Sequence, residues 1–281
     1  MKQYEEIKRI LTHDLGWTDL AAYRRWIEEA RPSVRPTRER IELLSPDHVD
    51  CRDFWRACDE LFGFDPVCNV AVAPEFGELP YRVETRMDAN RLNLRLAKSL
   101  GITAFLDEHA HARVKTFEIG VGYGSIKNYI ESNTEHLYLG VDVVPRIPGV
   151  IEATAEGLIP REIIAAERDQ IAYVIATNVF QHLSARQRTQ YWQDAATLLR
   201  PGGILLFNLL VDTSRLPASA RDDHGQAWCD HYGQFTAIPK AGPLYDEICA
   251  SFDILYVTQR YDGIFNFVCR KTGDTRERPD S

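Results

Sequence analysis

The feature that most constrains the fold is a glycine-rich turn directly after an apolar segment. Residues 114–124 read Val-Lys-Thr-Phe-Glu-Ile-Gly-Val-Gly-Tyr-Gly, so Gly120, Gly122 and Gly124 alternate with other residues. Glycine lets the backbone approach a ligand closely, and a helix predicted over 125–131 offers free N–H groups at its N-terminus. The pattern predicts a buried strand, a cofactor-binding turn and a helix, in that order.

The spacing of these glycines argues against a nicotinamide dinucleotide. The dinucleotide fingerprint is Gly-x-Gly-x-x-Gly, and Ser125 stands where its third glycine would fall. A nicotinamide-dependent oxidoreductase is therefore the least favoured of the functions that a glycine turn of this kind suggests.

Strand and helix patterns alternate along the C-terminal part of the chain. Helical patterns separate most of the strands, notably over 184–199, where Ser184 and Gln187 form a capping box. This alternation predicts an α/β fold with a mostly parallel sheet covered on both faces. A hairpin signal at Tyr261-Asp-Gly263 predicts that the last strand is antiparallel. The seven predicted strands are 114–119, 137–141, 150–153, 172–177, 203–210, 252–258 and 265–270.

One connection departs from this alternation. Only residues 143–149 separate the second predicted strand from the third. A parallel crossover usually needs a helix of a dozen residues or more. The crossover helix is therefore predicted to be missing or reduced.

The residues before the first strand have a helical pattern. Apolar residues recur at spacings of three and four from residue 4 to about residue 64, and another helix is predicted over 84–100. Residues 31–40 contain two prolines and four arginines and are interpreted as a solvated linker. The predicted division is a helical region over 1–83 that could act as a lid, a domain over 84–271 and a polar tail over 272–281.

Charge and composition exclude several partners. The 281 residues include 33 Lys and Arg against 41 Asp and Glu, a net charge of −8, which disfavours nucleic acid and anionic membranes. No apolar run approaches the roughly 20 residues that span a bilayer, and the chain opens with polar residues, so a cytoplasmic protein is expected. The six cysteines form no Cys-x-x-Cys pair, which favours reduced core thiols over a zinc or redox site.

Further motifs follow the glycine turn in a fixed order. Asp142 closes the second predicted strand, and the segments 154–160, 176–183 and 198–205 read Thr-Ala-Glu-Gly-Leu-Ile-Pro, Ala-Thr-Asn-Val-Phe-Gln-His-Leu and Leu-Leu-Arg-Pro-Gly-Gly-Ile-Leu. With Glu118 before the glycines, these motifs resemble those of the class I S-adenosylmethionine-dependent methyltransferases over about residues 112–271.

The resemblance implies a Rossmann-like methyltransferase sheet of about seven strands, with S-adenosyl-L-methionine as cofactor and S-adenosyl-L-homocysteine as product. Asp142 would hydrogen-bond the ribose hydroxyls, and Glu118 would lie near the sulfonium. The cofactor contacts implied in this way are Glu118, Gly120, Val121, Gly122, Tyr123, Gly124, Asp142, Val143, Thr154, Ala155, Glu156, Asn178 and Val179.

Two positions depart from the family pattern. Thr154 stands where an acid commonly meets the adenine amino group, and Ala172 or Tyr173 stands where the fourth strand often begins with Asp. Adenine contacts would then fall on backbone groups, with Thr154, Ala155 and Glu156 as candidates.

Three histidines are candidates for a catalytic base. His182 follows the fourth predicted strand with Asn178, at the edge where open sheets bind ligands, and a structural role for it is the alternative. His224 and His231 lie in the segment 212–232, which is predicted to form part of the acceptor site. A polar surface loop and a divalent metal site are the alternatives for this segment, but its spacing matches no metal motif, so no metal is predicted.

The N-terminal region offers side chains without a catalytic signature. Its aromatic residues could line a lid over the acceptor or form a core between helices. Arg86, Asn90 and Arg91 are candidates for meeting the cofactor carboxylate. The aromatic residues are Tyr4, Trp17, Trp26, Trp55 and Phe62.

These features predict methyl transfer to an oxygen or nitrogen of a small-molecule acceptor. The alternatives are aminopropyl transfer, which would need acids such as Asp222 and Asp223 to hold a polyamine, a silent cofactor-binding partner subunit, and an RNA or protein acceptor. No residue pattern encodes the oligomeric state, and a homodimer stays open.

Overall fold

A seven-stranded sheet forms the centre of the computed structural model. The structure describes residues 4–14, 16–19, 21–22, 25, 51–62, 91, 94, 97–98, 101–211, 241–261 and 264–272. The strands are β1 (Lys115–Ile119), β2 (Leu137–Asp142), β3 (Ile151–Glu152), β4 (Ile171–Ala176), β5 (Leu199–Leu210), β6 (Phe252–Tyr261) and β7 (Ile264–Lys271).

The strand order in the sheet is β3-β2-β1-β4-β5-β7-β6. The first five strands of this order pair in parallel. β7 pairs antiparallel with both β5 and β6. The predicted seven-stranded Rossmann-like sheet with an antiparallel last strand is confirmed.

Helices cover both faces of the sheet. They are α1 (Tyr4–Arg9), α2 (Cys51–Phe62), α3 (Ile102–Glu108), α4 (Ser125–Asn133), α5 (Arg161–Ala166), α6 (Ala185–Leu198) and α7 (Ala241–Cys249), with a π-helical turn at Ile10–Asp14 and a 3₁₀ turn at Phe180–His182. The predicted capping box of Ser184 and Gln187 starts α6.

Each face has its own apolar core. Residues of α1, α2, α3 and α4 pack with Ile175 and Leu206 on one face. Residues of α5, α6 and α7 pack with Phe117, Val174 and Phe207 on the other. Because successive strand residues point to opposite faces, Thr116 and Glu118 of β1 lie on the side opposite Phe117.

The short connection between β2 and β3 contains no helix. Residues 143–150, all of them described, join two parallel strands. The predicted loss of this crossover helix is confirmed, and β3 itself is only two residues long.

The fifth strand begins earlier than the sequence predicts. Leu199 already pairs with Ile171, after which the register shifts before Tyr173 pairs with Ile204. Gly202 has a left-handed φ of 73° within this irregularity. The Arg-Pro-Gly-Gly segment that ends α6 therefore lies within the strand as a bulge, rather than before it.

The N-terminal residues that the structure describes are helical over 4–14 and 51–62, as predicted. Of the helix predicted over 84–100, residues 91, 94, 97 and 98 are described and are helical. Trp17, Trp55 and Phe62 are buried in the apolar core that includes Ile175 and Leu206, and Trp26 lies outside the described residues. In the described part of the chain, no helix has both the length and the apolar character to span a bilayer.

Candidate cofactor site

The glycine turn connects β1 to α4 through three left-handed residues. Gly120, Gly122 and Gly124 have φ of 73°, 56° and 82°. A Cβ on Gly120 would lie 2.3 Å from Val179, and one on Gly124 would lie 2.4 Å from Ile147. The turn is thus packed tightly against the segments that follow β4 and β2.

Gly122 differs from its two neighbours in the space beside it. No heavy atom among the described residues lies within 4 Å of a Cβ built there. A Cβ on the first or third glycine would clash with a side chain of the protein, whereas one on Gly122 would meet none of the described residues.

Asp142 closes β2 directly beside this turn. Its Oδ2 accepts the Gly122 N–H at 2.7 Å, and its Oδ1 accepts the Val144 N–H at 2.8 Å. Burial raises the pKa of Asp142, while these two N–H groups lower it in part. A carboxylate oxygen has two acceptor positions, so each oxygen retains one for a further donor.

Glu118 lies under the turn, not in open space. It is 2% exposed, and its Oε2 accepts the Tyr138 hydroxyl at 2.5 Å. The backbone N–H of Lys127, in the first turn of α4, lowers the pKa of this carboxyl in part. Burial raises the pKa of Glu118 to about 8, so the group is mostly protonated at neutral pH. A neutral carboxyl would supply little negative charge to a sulfonium. The predicted contact between Glu118 and the sulfonium stays a prediction.

The turn after β3 is closed by its own hydrogen bonds. Thr154 accepts from Gly157 N–H at 2.9 Å, donates its N–H to Leu158 at 2.8 Å, and bonds the Leu158 N–H through Oγ1 at 3.2 Å. Arg52 of α2 also donates to the Thr154 carbonyl at 2.7 Å. An adenine ring bound at this turn would have to share these N–H and carbonyl groups, because they already form hydrogen bonds within the protein. Ala155 and Glu156 are exposed in the same turn.

Asn178 follows β4 in a strained backbone conformation. Its φ is 57°, which is uncommon for a residue other than glycine. The amide of Asn208 on β5 holds it there, because Asn208 accepts the Asn178 N–H at 2.8 Å and donates to its side-chain oxygen at 2.5 Å. The sequence motifs predicted no role for Asn208. Its place as the single amide in the apolar run 204–211 nevertheless indicates a side chain that needs a hydrogen-bonding partner.

His182 is packed rather than solvated. It is 8% exposed, and its ring lies edge-on to Trp55 of α2 with the ring centroids 5.2 Å apart. A helix from the N-terminal region therefore reaches the segment after β4. The proposed basic role of His182 stays a prediction.

The other predicted cofactor contacts lie at the same edge of the sheet. Val121 and Tyr123 are buried, and Val143 and Val179 are half-buried. The structure thus brings the segments after β1, β2, β3 and β4 together. Arg91 is exposed. The remaining predicted site residues lie outside the described residues, namely His224, His231, Asp222, Asp223, Arg86 and Asn90.

The geometry fits a ligand with a vicinal diol. Asp142 offers two acceptor oxygens beside a glycine that borders open space, at the carboxyl ends of parallel strands, where open sheets bind ligands. No group of three or more His, Cys, Asp or Glu side chains in the described part of the chain could hold a metal ion.

Comparisons with known proteins give similar folds only. No protein-family model matches the chain, and no curated protein matches it. Solved structures with similar folds include the 1,6-didemethyltoxoflavin N1-methyltransferase of Burkholderia thailandensis, with S-adenosylhomocysteine bound. Others are an O-methyltransferase family protein of the same organism and human N-acetylserotonin methyltransferase in complex with S-adenosylmethionine.

The three similarities are of modest extent. The first has 16% identity and a TM-score of 0.44, covering 64% of this chain and 79% of the other. The O-methyltransferase family protein has 13% identity and a TM-score of 0.49, covering 68% of this chain and 60% of the other. The human enzyme has 12% identity and a TM-score of 0.47, covering 67% of this chain and 56% of the other. At TM-scores below 0.5, these similarities support no functional statement about this chain.

Proposed function

We propose that this chain is an S-adenosylmethionine-dependent methyltransferase acting on an oxygen or nitrogen of a small-molecule acceptor. The main support is the bond of 2.7 Å between the Gly122 N–H and Asp142, at a glycine beside which a Cβ would meet no described atom within 4 Å. It joins the glycine turn to the acid that would accept the ribose hydroxyls. The order of the sequence motifs provides independent support.

The residues that would hold the cofactor come from four segments. Asp142 would accept hydrogen bonds from the ribose, and the backbone of the glycine turn would border the amino acid moiety. The turn after β3, including Ala155 and Glu156, would lie beside the adenine. Val143 and Val179 would provide apolar contacts.

The bound cofactor supplies an activated methyl group on a sulfonium, and its transfer is an in-line displacement. The protein's part is therefore mainly alignment of the acceptor and removal of a proton from a poor nucleophile. His182, at the carboxyl end of β4, and His224 and His231, outside the described residues, are the candidates for this base.

The acceptor class follows from charge and from the segment after β5. A net charge of −8 disfavours a polyanionic acceptor. β5 ends at Leu210, at the carboxyl edge of the sheet, and the two further histidines fall in the sequence 212–232 that follows it. A small polar acceptor with a hydroxyl or amine is therefore the proposed substrate.

The first experiment is calorimetric titration with S-adenosylhomocysteine, with NADH as the comparison ligand. Saturable binding of S-adenosylhomocysteine alone is expected, and its loss in Gly122→Asp would locate it at the turn. A folded wild-type protein that ignored S-adenosylhomocysteine but bound NADH would overturn the proposal.

A second experiment separates an enzyme from a silent binding subunit. The protein is incubated with radiolabelled methyl donor and a panel of small phenols, amines and hydroxy acids. Transfer of label that falls at least about a hundredfold in the His224→Ala, His231→Ala double variant supports catalysis by that segment. Binding of the cofactor without transfer to any acceptor would favour the silent subunit.

A further inference from the structure

Helix α2 is attached to the loop that replaces the crossover helix between β2 and β3. Arg146 of this loop donates Nε–H to Oδ2 of Asp59 on α2 at 2.8 Å. The two side chains are 8% and 17% exposed, so salt and water screen the pair weakly. Residues 87 positions apart thus form an ion pair at the edge of the site.

The same guanidinium also faces the acid at the end of β2. Arg146 Nη1 lies 3.9 Å from Oδ1 of Asp142, which is ion-pair range without a hydrogen bond. The guanidinium carbon lies 5.0 Å from the ring centroid of Tyr123 in the glycine turn. Tyr123 in turn donates its hydroxyl to Asp59 Oδ1 at 3.5 Å. One arginine therefore lies between two carboxylates, and it bonds directly to Asp59.

The charges around Arg146 explain why it matters whether its guanidinium bonds Asp59 or Asp142. Burial alone would lower the pKa of Arg146, but Tyr123, Asp59 and Asp142 raise it above its ordinary value, so the group stays charged. Without the Asp59 charge, Asp142 would be the carboxylate nearest to Arg146 among the described residues. A hydrogen bond from Arg146 would then occupy the acceptor position that a ribose hydroxyl needs.

We propose that Asp59 is a positioning residue that holds Arg146 away from Asp142, so that helix α2 keeps the Asp142 carboxylate available to the ribose hydroxyls of the cofactor. This inference rests on the proposed function. It assigns a role at the cofactor site to a residue of the N-terminal region, which the sequence motifs do not include.

The test measures the dissociation constant of S-adenosylhomocysteine for wild type, Asp59→Asn and Asp59→Glu. Asp59→Asn is expected to weaken binding by about tenfold, and Asp59→Glu, which keeps the charge, by less than about threefold. The matched control is Glu60→Gln on the same helix, because Glu60 pairs with Tyr4 and Lys8, away from the loop. The control is expected to bind as wild type does.

Two further measurements distinguish positioning from a general structural effect. An analogue of S-adenosylhomocysteine without the 2′ and 3′ hydroxyls should bind wild type and Asp59→Asn equally well. In an Arg146→Met background, Asp59→Asn should have no further effect on the affinity for S-adenosylhomocysteine. Circular dichroism confirms that each variant is folded.

The outcomes separate this inference from the proposed function. If wild type does not bind S-adenosylhomocysteine, the proposed function fails and this inference fails with it. If wild type binds but Asp59→Asn binds equally well, or loses affinity for both ligands by the same factor, only the positioning role of Asp59 is overturned. If Asp59→Asn alone does not fold, the double variant Asp59→Asn, Arg146→Met decides: the affinity of Arg146→Met alone supports the positioning role, and a weaker affinity overturns it.

Discussion

The Gly122 N–H donates to the Asp142 carboxylate across 2.7 Å, joining the turn after β1 to the end of β2. This bond fixes the carboxylate against the backbone while each oxygen retains an acceptor position. A Cβ built on Gly122 would meet no described atom within 4 Å, whereas one on Gly120 or Gly124 would clash with Val179 or Ile147. The bond places a fixed acceptor beside a backbone segment that a ligand can approach.

Gly122→Ala is expected to abolish binding of S-adenosylhomocysteine while the protein stays folded. The new methyl group would meet no described atom, and the cost of a left-handed alanine is about 1 kcal/mol. The methyl group would occupy the space proposed for the cofactor. Urea unfolding and calorimetry measure the two effects.

Gly202→Ala is the matched control for this prediction. Gly202 also has a left-handed φ, and a Cβ placed on it would meet no described atom within 4 Å, but it lies in the bulge at the start of β5. Gly202→Ala should lose about as much stability as Gly122→Ala and should keep the wild-type affinity for S-adenosylhomocysteine. Equal loss of affinity in both variants would contradict a ligand site at Gly122.

Glu118 should make the protein less stable as the pH rises from about 5 to 8. Its pKa is about 8 in the folded protein against 4.5 ordinarily, so the unfolded chain releases its proton first. Stability is then fully present below the unfolded pKa and is lost as the pH rises through the folded one, by an amount on the order of a few kcal/mol. Urea unfolding at successive pH values measures this slope.

Glu118→Gln should flatten that dependence, because glutamine is neutral at every pH and can still accept the Tyr138 hydroxyl. Glu108→Gln, an exposed substitution on α3, is the control and should keep the wild-type slope. An unchanged slope in Glu118→Gln would show that another group is responsible.

Asn208→Leu should destabilise the protein by about 2 kcal/mol. Leucine is of similar size, but the half-buried N–H and side-chain oxygen of Asn178 would both lose their partner. In an Asn178→Gly background the same substitution should cost less, because glycine lacks the side-chain oxygen and adopts the left-handed backbone freely. Urea unfolding of the four proteins tests this, and strictly additive costs would refute the coupling.

Arg52→Met should loosen the turn after β3. Arg52 donates to the carbonyls of Ala153 and Thr154, and methionine keeps much of its apolar stem without the donors. A loss of about 1 kcal/mol and faster hydrogen exchange over residues 153–158 are expected. Arg56→Met on the same helix, where Arg56 lies over the Tyr4 ring, should leave that exchange unchanged.

Local patterns were enough to predict most of the architecture. The strands, the glycine turn and the capping box of α6 each depend on residues close together in sequence, whose spacing fixes which groups face the core or end a helix. The short connection 143–149 was likewise sufficient to predict the missing crossover helix. The bulge at the start of β5 was not predicted, because its register depends on pairing with β4.

The sequence by itself determined the order of the strands along the chain, the glycine turn and the acids Glu118 and Asp142. Only the tertiary structure decided that Glu118 is buried against Tyr138, that Asn208 holds Asn178, and that Arg146 pairs with Asp59. The physical reason is distance along the chain. These partners are 20, 30 and 87 residues apart, so no local spacing relates them. The first two pairs meet through the pairing of β1 with β2 and of β4 with β5, and the third only where α2 packs beside the loop after β2.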